Sequence, residues 1–453
     1  MFRFRKCLGG HVPYLWSLLT LILFLTPHVV QAALPGLDLS IGGQVRLRAT
    51  SYYGALPPSL PGSLPDPLLE QQQREIAAGA DGIGVRQTTR LQIYLLPSSG
   101  VSLKLGLRHV GWWGIDRYTS GTYGAPLFLS DPFRVDELFA ALPFTAGTLY
   151  VGRQYLRFGD LGLLVATPIP EEIDPTPLAA VLWESNVSPV SADSGANTRA
   201  TPSFTYAVAA GRLWLQPVEE EDGVQRLIAH DLIAGRISKT FAITPAFMSA
   251  KTYPLRLGLN VLAHGVDREL GLGVDAYLPL EGRGHLNAEA AAVRPPGSPE
   301  WAVGFAGRFL WQWPGESQAS TDTLHAGRSA PWELEVTAGA AQAGYSPVLS
   351  ELHSSGGSLP FAPGEAGLQV RWRQTRGAVS GELSWERRIA LPVPGMATAS
   401  TAGGQSRAAR KSVSLRLGWQ PPIPGLTGQI GYDHWWTEAS GYGRWLLEAA
   451  YAF

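Results

Sequence analysis

Apolar and polar residues alternate along most of this chain with a period of two. In 37–49 the odd positions Leu37, Leu39, Ile41, Val45 and Leu47 are apolar, whereas Asp38, Ser40, Gln44, Arg46 and Arg48 are polar. The same parity returns in 91–95 and 101–108, then in 255–263, 332–340, 366–374 and 412–419. A period of two, not 3.6, predicts strands with one apolar and one polar face. The strand-like segments run to about ten residues and recur to the last residue, Phe453. Short spacers (Pro97–Gly100, Pro143–Gly147, Leu280–Gly284, Thr375–Gly377, Pro421–Gly425) alternate with long ones at 54–84, 114–133, 158–199, 342–365 and 390–411. A soluble sandwich would also alternate, but strand length and spacer asymmetry favour a transmembrane antiparallel β-barrel of about eighteen strands. The pattern is weakest over 200–250.

Composition supports the membrane reading. Hydrophobic residues make up 45% and charged residues only 16%. Yet no stretch after residue 32 has the eighteen or more apolar residues of a spanning helix. A barrel reconciles the two, because each strand shows lipid an apolar residue only at alternate positions. The first residues form a separate signal: Arg3, Arg5 and Lys6, an apolar run from Leu15 to Leu25, and small residues near Val30-Gln31-Ala32. This predicts a signal peptide over 1–32 and a barrel over 33–453, a retained anchor being the alternative. Cleavage there removes the one cysteine, Cys7, and three of the 36 basic residues, leaving 33 against 37 acids. Such a balance excludes a general nucleic-acid binder, and the absence of thiols excludes a disulfide framework.

With odd positions facing lipid in the first three strands, Arg46, Arg48, Arg86, Arg90, Lys104 and Arg108 face the lumen. Arg256, Arg371, Arg373 and Arg416 join them, as do the acids Asp275, Glu289, Glu333, Glu335, Glu382, Glu386 and Glu448. Fixed arginines in a pore favour anions, because their forked donors replace part of an anion's hydration. Solvation of a wet wall and pairing across strands would equally account for any single one. The long 158–199 segment either folds into the pore or lies on the surface. Trp112, Trp113, Trp311, Trp313, Trp435 and Trp436 suit interfacial girdles or luminal packing. His264, His285 and His353 are scattered, so no metal site, cofactor or catalytic constellation is expected. An outer-membrane enzyme or adhesin anchored by the barrel is the alternative class.

Two resemblances sharpen these expectations. Trp445, Leu447, Ala449, Tyr451 and terminal Phe453 share one face, similar to the C-terminal signal that barrel-assembly machinery reads in bacterial outer-membrane proteins. The segment 136–160 resembles the alginate export family of outer-membrane porins. Asp136-Glu137-Leu138, a tight turn at Pro143–Gly147, then Gly152-Arg153-Gln154 and Phe158-Gly159-Asp160 carry it. The resemblance implies a monomeric, passive, eighteen-stranded porin of a Gram-negative outer membrane, embedded in lipid and lipopolysaccharide. It also implies Arg153 and Arg157 at a constriction, with Arg153 a buried or luminal partner of Glu137 (the alternative being a Glu137–Arg153 lock that, with Asp160, fixes the turn and loop base), and a periplasmic polysaccharide-export partner. The expected solute is an anionic, alginate-like saccharide or a small organic anion.

Overall fold

The computed structural model describes residues 37–54, 84–97, 100–113, 134–167, 178–185, 204–214, 218–219, 225–226, 229–244, 252–264, 269–280, 283–295, 298–313, 332–345, 347, 359–391, 409–437 and 441–453. The signal-peptide expectation and most of the loops at 54–84, 114–133 and 390–411 lie outside these residues. Eighteen antiparallel strands form one closed sheet. In chain order they are β1 (Leu37–Gly54), β2 (Gly84–Pro97), β3 (Ser102–Trp113), β4 (Arg134–Phe144), β5 (Gly147–Gln154) and β6 (Leu178–Ser185). Then follow β7 (Phe204–Trp214), β8 (Ala229–Ile243), β9 (Tyr253–His264), β10 (Glu269–Leu280), β11 (Gly284–Arg294) and β12 (Ala302–Trp313). The circuit ends with β13 (Trp332–Ala341), β14 (Glu365–Arg376), β15 (Val379–Ala390), β16 (Ala409–Trp419), β17 (Leu426–Trp436) and β18 (Gly441–Ala452).

Closure is made by β18 against β1, with Tyr451 opposite Val45 and Trp445 opposite Ser51. Beyond that ladder, Gly43 and Phe453 exchange backbone hydrogen bonds of 2.9 and 3.0 Å. Among the described residues the barrel sheet has no edge strand, so its ladders pair strand to strand around the whole circuit, as a bilayer requires. The outward face is apolar: Leu257, Leu259 and Val261 on β9, Leu272 and Val274 on β10, and Leu415 and Leu417 on β16 are all exposed. Exposed Phe144, Phe204, Trp313, Trp332 and Trp419 lie at the strand ends on the same side of the barrel as the tight turns and form the periplasmic girdle. The closed barrel and its apolar belt make this an outer-membrane protein. Trp311 and Trp436 also face outward, whereas Trp435 has luminal parity and stacks on Arg444 at 5.4 Å.

Two expectations about the connections are corrected. The segment 158–199 is not one loop, because Leu178–Ser185 is a barrel strand between β5 and β7. Nor does spacer length alternate strictly. The tight-turn end also carries the connections 186–203 and 314–331, and the opposite end has the short connections 265–268 and 437–440.

Candidate functional site

The lumen is divided between an insert and a charged wall. The strand β5 stops after eight residues, and the chain then turns into the barrel as a hairpin over 156–167. Leu156 and Thr167 tie its base, with Leu156 N–H donating to Thr167 Oγ1 and Thr167 N–H to Leu156 O at 2.7 Å. Arg157 pairs with Ala166 and Phe158 with Val165. The tip is held by one carboxylate on the far wall. Glu289 of β11 accepts from the backbone N–H groups of Leu161, Gly162 and Leu163 at 2.7, 3.2 and 2.8 Å. Asp160 meets Arg256 of β9 at 2.6 Å, and the Tyr345 hydroxyl donates to Leu163 O at 2.9 Å. Burial pushes the Tyr345 pKa well above that of an ordinary phenol, with the charges of Glu289 and Glu269 adding to the rise. The donor therefore keeps its proton at any physiological pH.

Small inward residues receive the insert. Leu161, Leu163, Leu164 and Val165 pack with Leu178, Ala180, Ala209, Leu232, Ala234, Leu262, Ala291 and Ala306 from the surrounding wall. Leu164 fills the space over Gly271, where a Cβ would collide with it, and lies close over Gly273, where a Cβ would be a tight fit. A second inward segment, Leu359–Ala362 with Tyr345, completes the core. Phe361 sits over Gly339. Gly159 is needed twice. Its φ of +81° is strained for other residues, and a Cβ there would strike Glu289 Oε1. Gly159→Ala is expected to loosen the hairpin from Glu289, seen as faster hydrogen exchange at 161–163 with the barrel ladders unchanged. Exchange at wild-type rates would refute this.

The opposite wall keeps its charges. On the arc β16–β18 and β1–β3, the basic luminal residues are Arg410, Arg416, Arg444, Arg46, Arg48, Arg86, Arg90, Lys104 and Arg108. Only Asp433, Glu448 and Asp38 offset them on those strands. Asp433, 1% exposed, bridges Arg416 and Arg444. Glu448 bridges Arg46 at 3.4 Å and Arg48 at 2.8 Å. In each bridge two guanidinium groups share one carboxylate. At the arc's edge β4 contributes Asp136 and Glu137 side by side. A bulge makes this possible, because the register steps from Gly106↔Glu137 to Leu107↔Val135 and leaves Asp136 as the extra residue. Lys104 then meets Glu137 at 2.7 Å and Arg108 meets Asp136 at 3.2 Å. Arg90, Gln92, Lys104, Glu137 and the insert's Tyr155 line a recess of about 200 Å³.

The expected pore-lining residues thus divide. Arg46, Arg48, Arg86, Arg90, Lys104 and Arg108 are luminal and form one patch. Arg371 and Arg373 are luminal too but are held by acids, Arg371 by Glu335 and Glu382, and Arg373 by Glu333 at 2.8 Å and Glu382 at 2.6 Å. Arg157 is exposed on the insert, donating to Asp160 O at 2.8 Å. Arg153 is a correction. It lies opposite Leu138, and both share the outward face with exposed Val151. The partner of Glu137 is Lys104 rather than Arg153. The tight turn already fixes this: pairing Phe144 with Gly147 puts Glu137 across from Gln154. Gln154 is buried and donates to Ala180 O at 3.2 Å, and Gly152 has φ of +137°. The motif residues Gly152, Gln154, Gly159 and Asp160 therefore launch and anchor the insert. The anchors Glu289 and Tyr345 carried no motif of their own. The signal that could have found the docking wall is the run of inward glycines and alanines on β10–β13.

No protein-family model and no curated protein matches the chain significantly. Solved structures do match in fold. The Pseudomonas aeruginosa OpdK structure with vanillate superposes with a TM-score of 0.55 at 12% identity, covering 91% of this chain and 98% of that one. P. aeruginosa OccK5 (OpdH) gives 0.51 at 11% identity over 92% and 98%, and OccK3 (OpdO) gives 0.50 at 13% over 91% and 95%. These are outer-membrane porin barrels of the OccK and OpdK kind rather than alginate exporters. What the likeness supports is the porin fold, not the alginate export family that 136–160 resembles.

Proposed function

We propose that the protein is a monomeric porin through which small organic anions diffuse. The observation that carries this reading is the basic arc, with nine luminal cationic side chains against three acids on its strands and Asp136 and Glu137 at its edge; Arg46, Arg48, Arg90, Lys104 and Arg416 are the ones that keep exposure in the lumen. An anion passing there meets arginines whose charge does not titrate, at short range and between low-dielectric walls. The Asp433 and Glu448 bridges hold these arginines in fixed positions, and passage requires that an anion bind weakly enough to leave again. A fold neighbour solved with vanillate, an aromatic carboxylate, agrees with this in charge and size. A polymer such as alginate suits the lumen less well, because the hairpin and the Leu359–Ala362 segment occupy part of its cross-section. In this reading the chain is a conduit and not a catalyst. Among its luminal acids, Glu448 and Glu382 are engaged with arginines and Glu289 with the backbone of the insert.

The test is the reversal potential of the refolded barrel in a KCl gradient. Neutralising Arg46, Arg48, Arg86 and Arg90 together should lower the anion-to-cation permeability ratio several-fold. An unchanged reversal potential would remove the arc as the source of selectivity.

A further inference from the structure

On the outward face, β15 and β16 hold a like-charge pair that no described residue of the barrel neutralises. Arg387 and Lys411 are direct cross-strand partners. Arg387 is exposed and Lys411 half-buried. Neither forms an ion pair or hydrogen bond with a described residue. Like charges placed directly opposite on a sheet repel. Their outward neighbours offer no relief: Leu368 and Trp436 continue the row on β14 and β17, and Trp385, Val413, Ile389 and Ala409 lie above and below. Elsewhere the outer face meets the same need internally, since Arg212 of β7 is paired with Asp231 of β8 at 2.7 Å.

Depth identifies what covers the pair. The strand β15 leaves the tight turn at Val379 and β16 returns to one at Trp419, so both charges sit eight residues from the periplasmic girdle. Eight residues of tilted strand climb roughly 20 Å, near the upper limit of an apolar band of about 25 Å. Next to them an aromatic strip of Tyr432, His434 and Trp436 runs along β17, with stacked centroids 6.3 and 5.5 Å apart. Aromatic rings of this kind mark the interface. At that height a lipid headgroup must lie against the wall, and the groups on it that would neutralise two cations are phosphates.

We propose that Arg387 and Lys411 form a binding site for a phosphate of an outer-leaflet glycolipid, with Trp436 and Leu368 packing against its sugar and acyl portions. Arginine supplies a two-pronged donor and lysine a point charge, a pairing suited to a phosphate monoester. The site is independent of the lumen, so its loss should leave channel selectivity unchanged.

Native mass spectrometry of the full barrel, extracted in mild detergent and titrated with a purified bis-phosphorylated lipid A, tests this. Wild type should retain one glycolipid, and R387Q/K411Q should bind it about tenfold more weakly. Lysine-to-arginine exchange at 411 should keep the affinity, and R212Q should leave it unaltered. Heat-modifiability on gels establishes that each variant is folded. Equal binding by R387Q/K411Q, or equal binding of the enzymatically dephosphorylated glycolipid to wild type, would overturn the proposal. So would displacement by inorganic phosphate at a concentration equal to the lipid, because that would mean a simple anion site.

Discussion

Glu289→Ala is expected to raise single-channel conductance several-fold and to make it noisy. The carboxylate of Glu289 is the only acceptor shown for three consecutive backbone N–H groups at the tip of the insert. Without it those donors are left buried and unpaired, at about 1–3 kcal/mol each. Leaving the lumen would rehydrate them, against the loss of the apolar packing of Leu161, Leu163 and Leu164 and of the Asp160–Arg256 pair. The two sides are comparable, so the hairpin should exchange between docked and undocked states. Glu289→Gln, which keeps one carbonyl oxygen, should fall between wild type and alanine. Planar-bilayer recordings decide it. A quiet conductance of wild-type size in a folded Glu289→Ala barrel would show that the hairpin is held by its apolar contacts alone.

Asp433→Asn should destabilise the barrel more than any other luminal neutral substitution. Asp433 is buried between Arg416 and Arg444, receiving 2.9 Å and 2.8 Å contacts from Arg444. Removing the anion leaves two guanidinium groups facing each other with little solvent, a loss of about 3–5 kcal/mol. The urea midpoint of heat-modifiable unfolding should fall. Adding Arg416→Gln to Asp433→Asn should recover part of it, because one uncompensated charge is gone. Surviving Asp433→Asn barrels should also prefer anions more strongly than wild type. A midpoint within error of wild type would mean that water or salt screens this triad in the native lumen.

The sequence was most legible where water fills the barrel. On β1–β3 and β14–β17 the luminal face is mostly polar and the lipid face apolar, so alternation shows parity, inward arginines and acids, and the tight turns. It failed where protein replaces water. On β6 the inward Leu178, Ala180 and Leu182 are as apolar as the outward Val181 and Trp183, because the insert covers the inner face. The period-two signal vanishes there, and the sequence alone does not set the strand apart from the loops around it. The poor parity over 200–250 has the same cause, since Leu232 and Ala234 point inward beside outward Ile233 and Ile237. Arg153 was misplaced for another reason. A family motif names residue types, but the side each faces is set by the turn register, and here Phe144 against Gly147 turns it outward.

The seam between the first and last strands also governs assembly. Arg48 and Glu448 meet across 400 residues of chain, so this ladder closes the longest stretch of chain and its closure entropy disfavours its forming before its neighbours. Until then both β1 and β18 present open edges, each able to pair with another chain. The ring of Phe453 lies over Gly43, where even a methyl group would collide with it. A substitution such as Gly43→Val should therefore act before any pore exists. It would yield unclosed, aggregating chains that proteases clear, and the few barrels that do close should conduct like wild type.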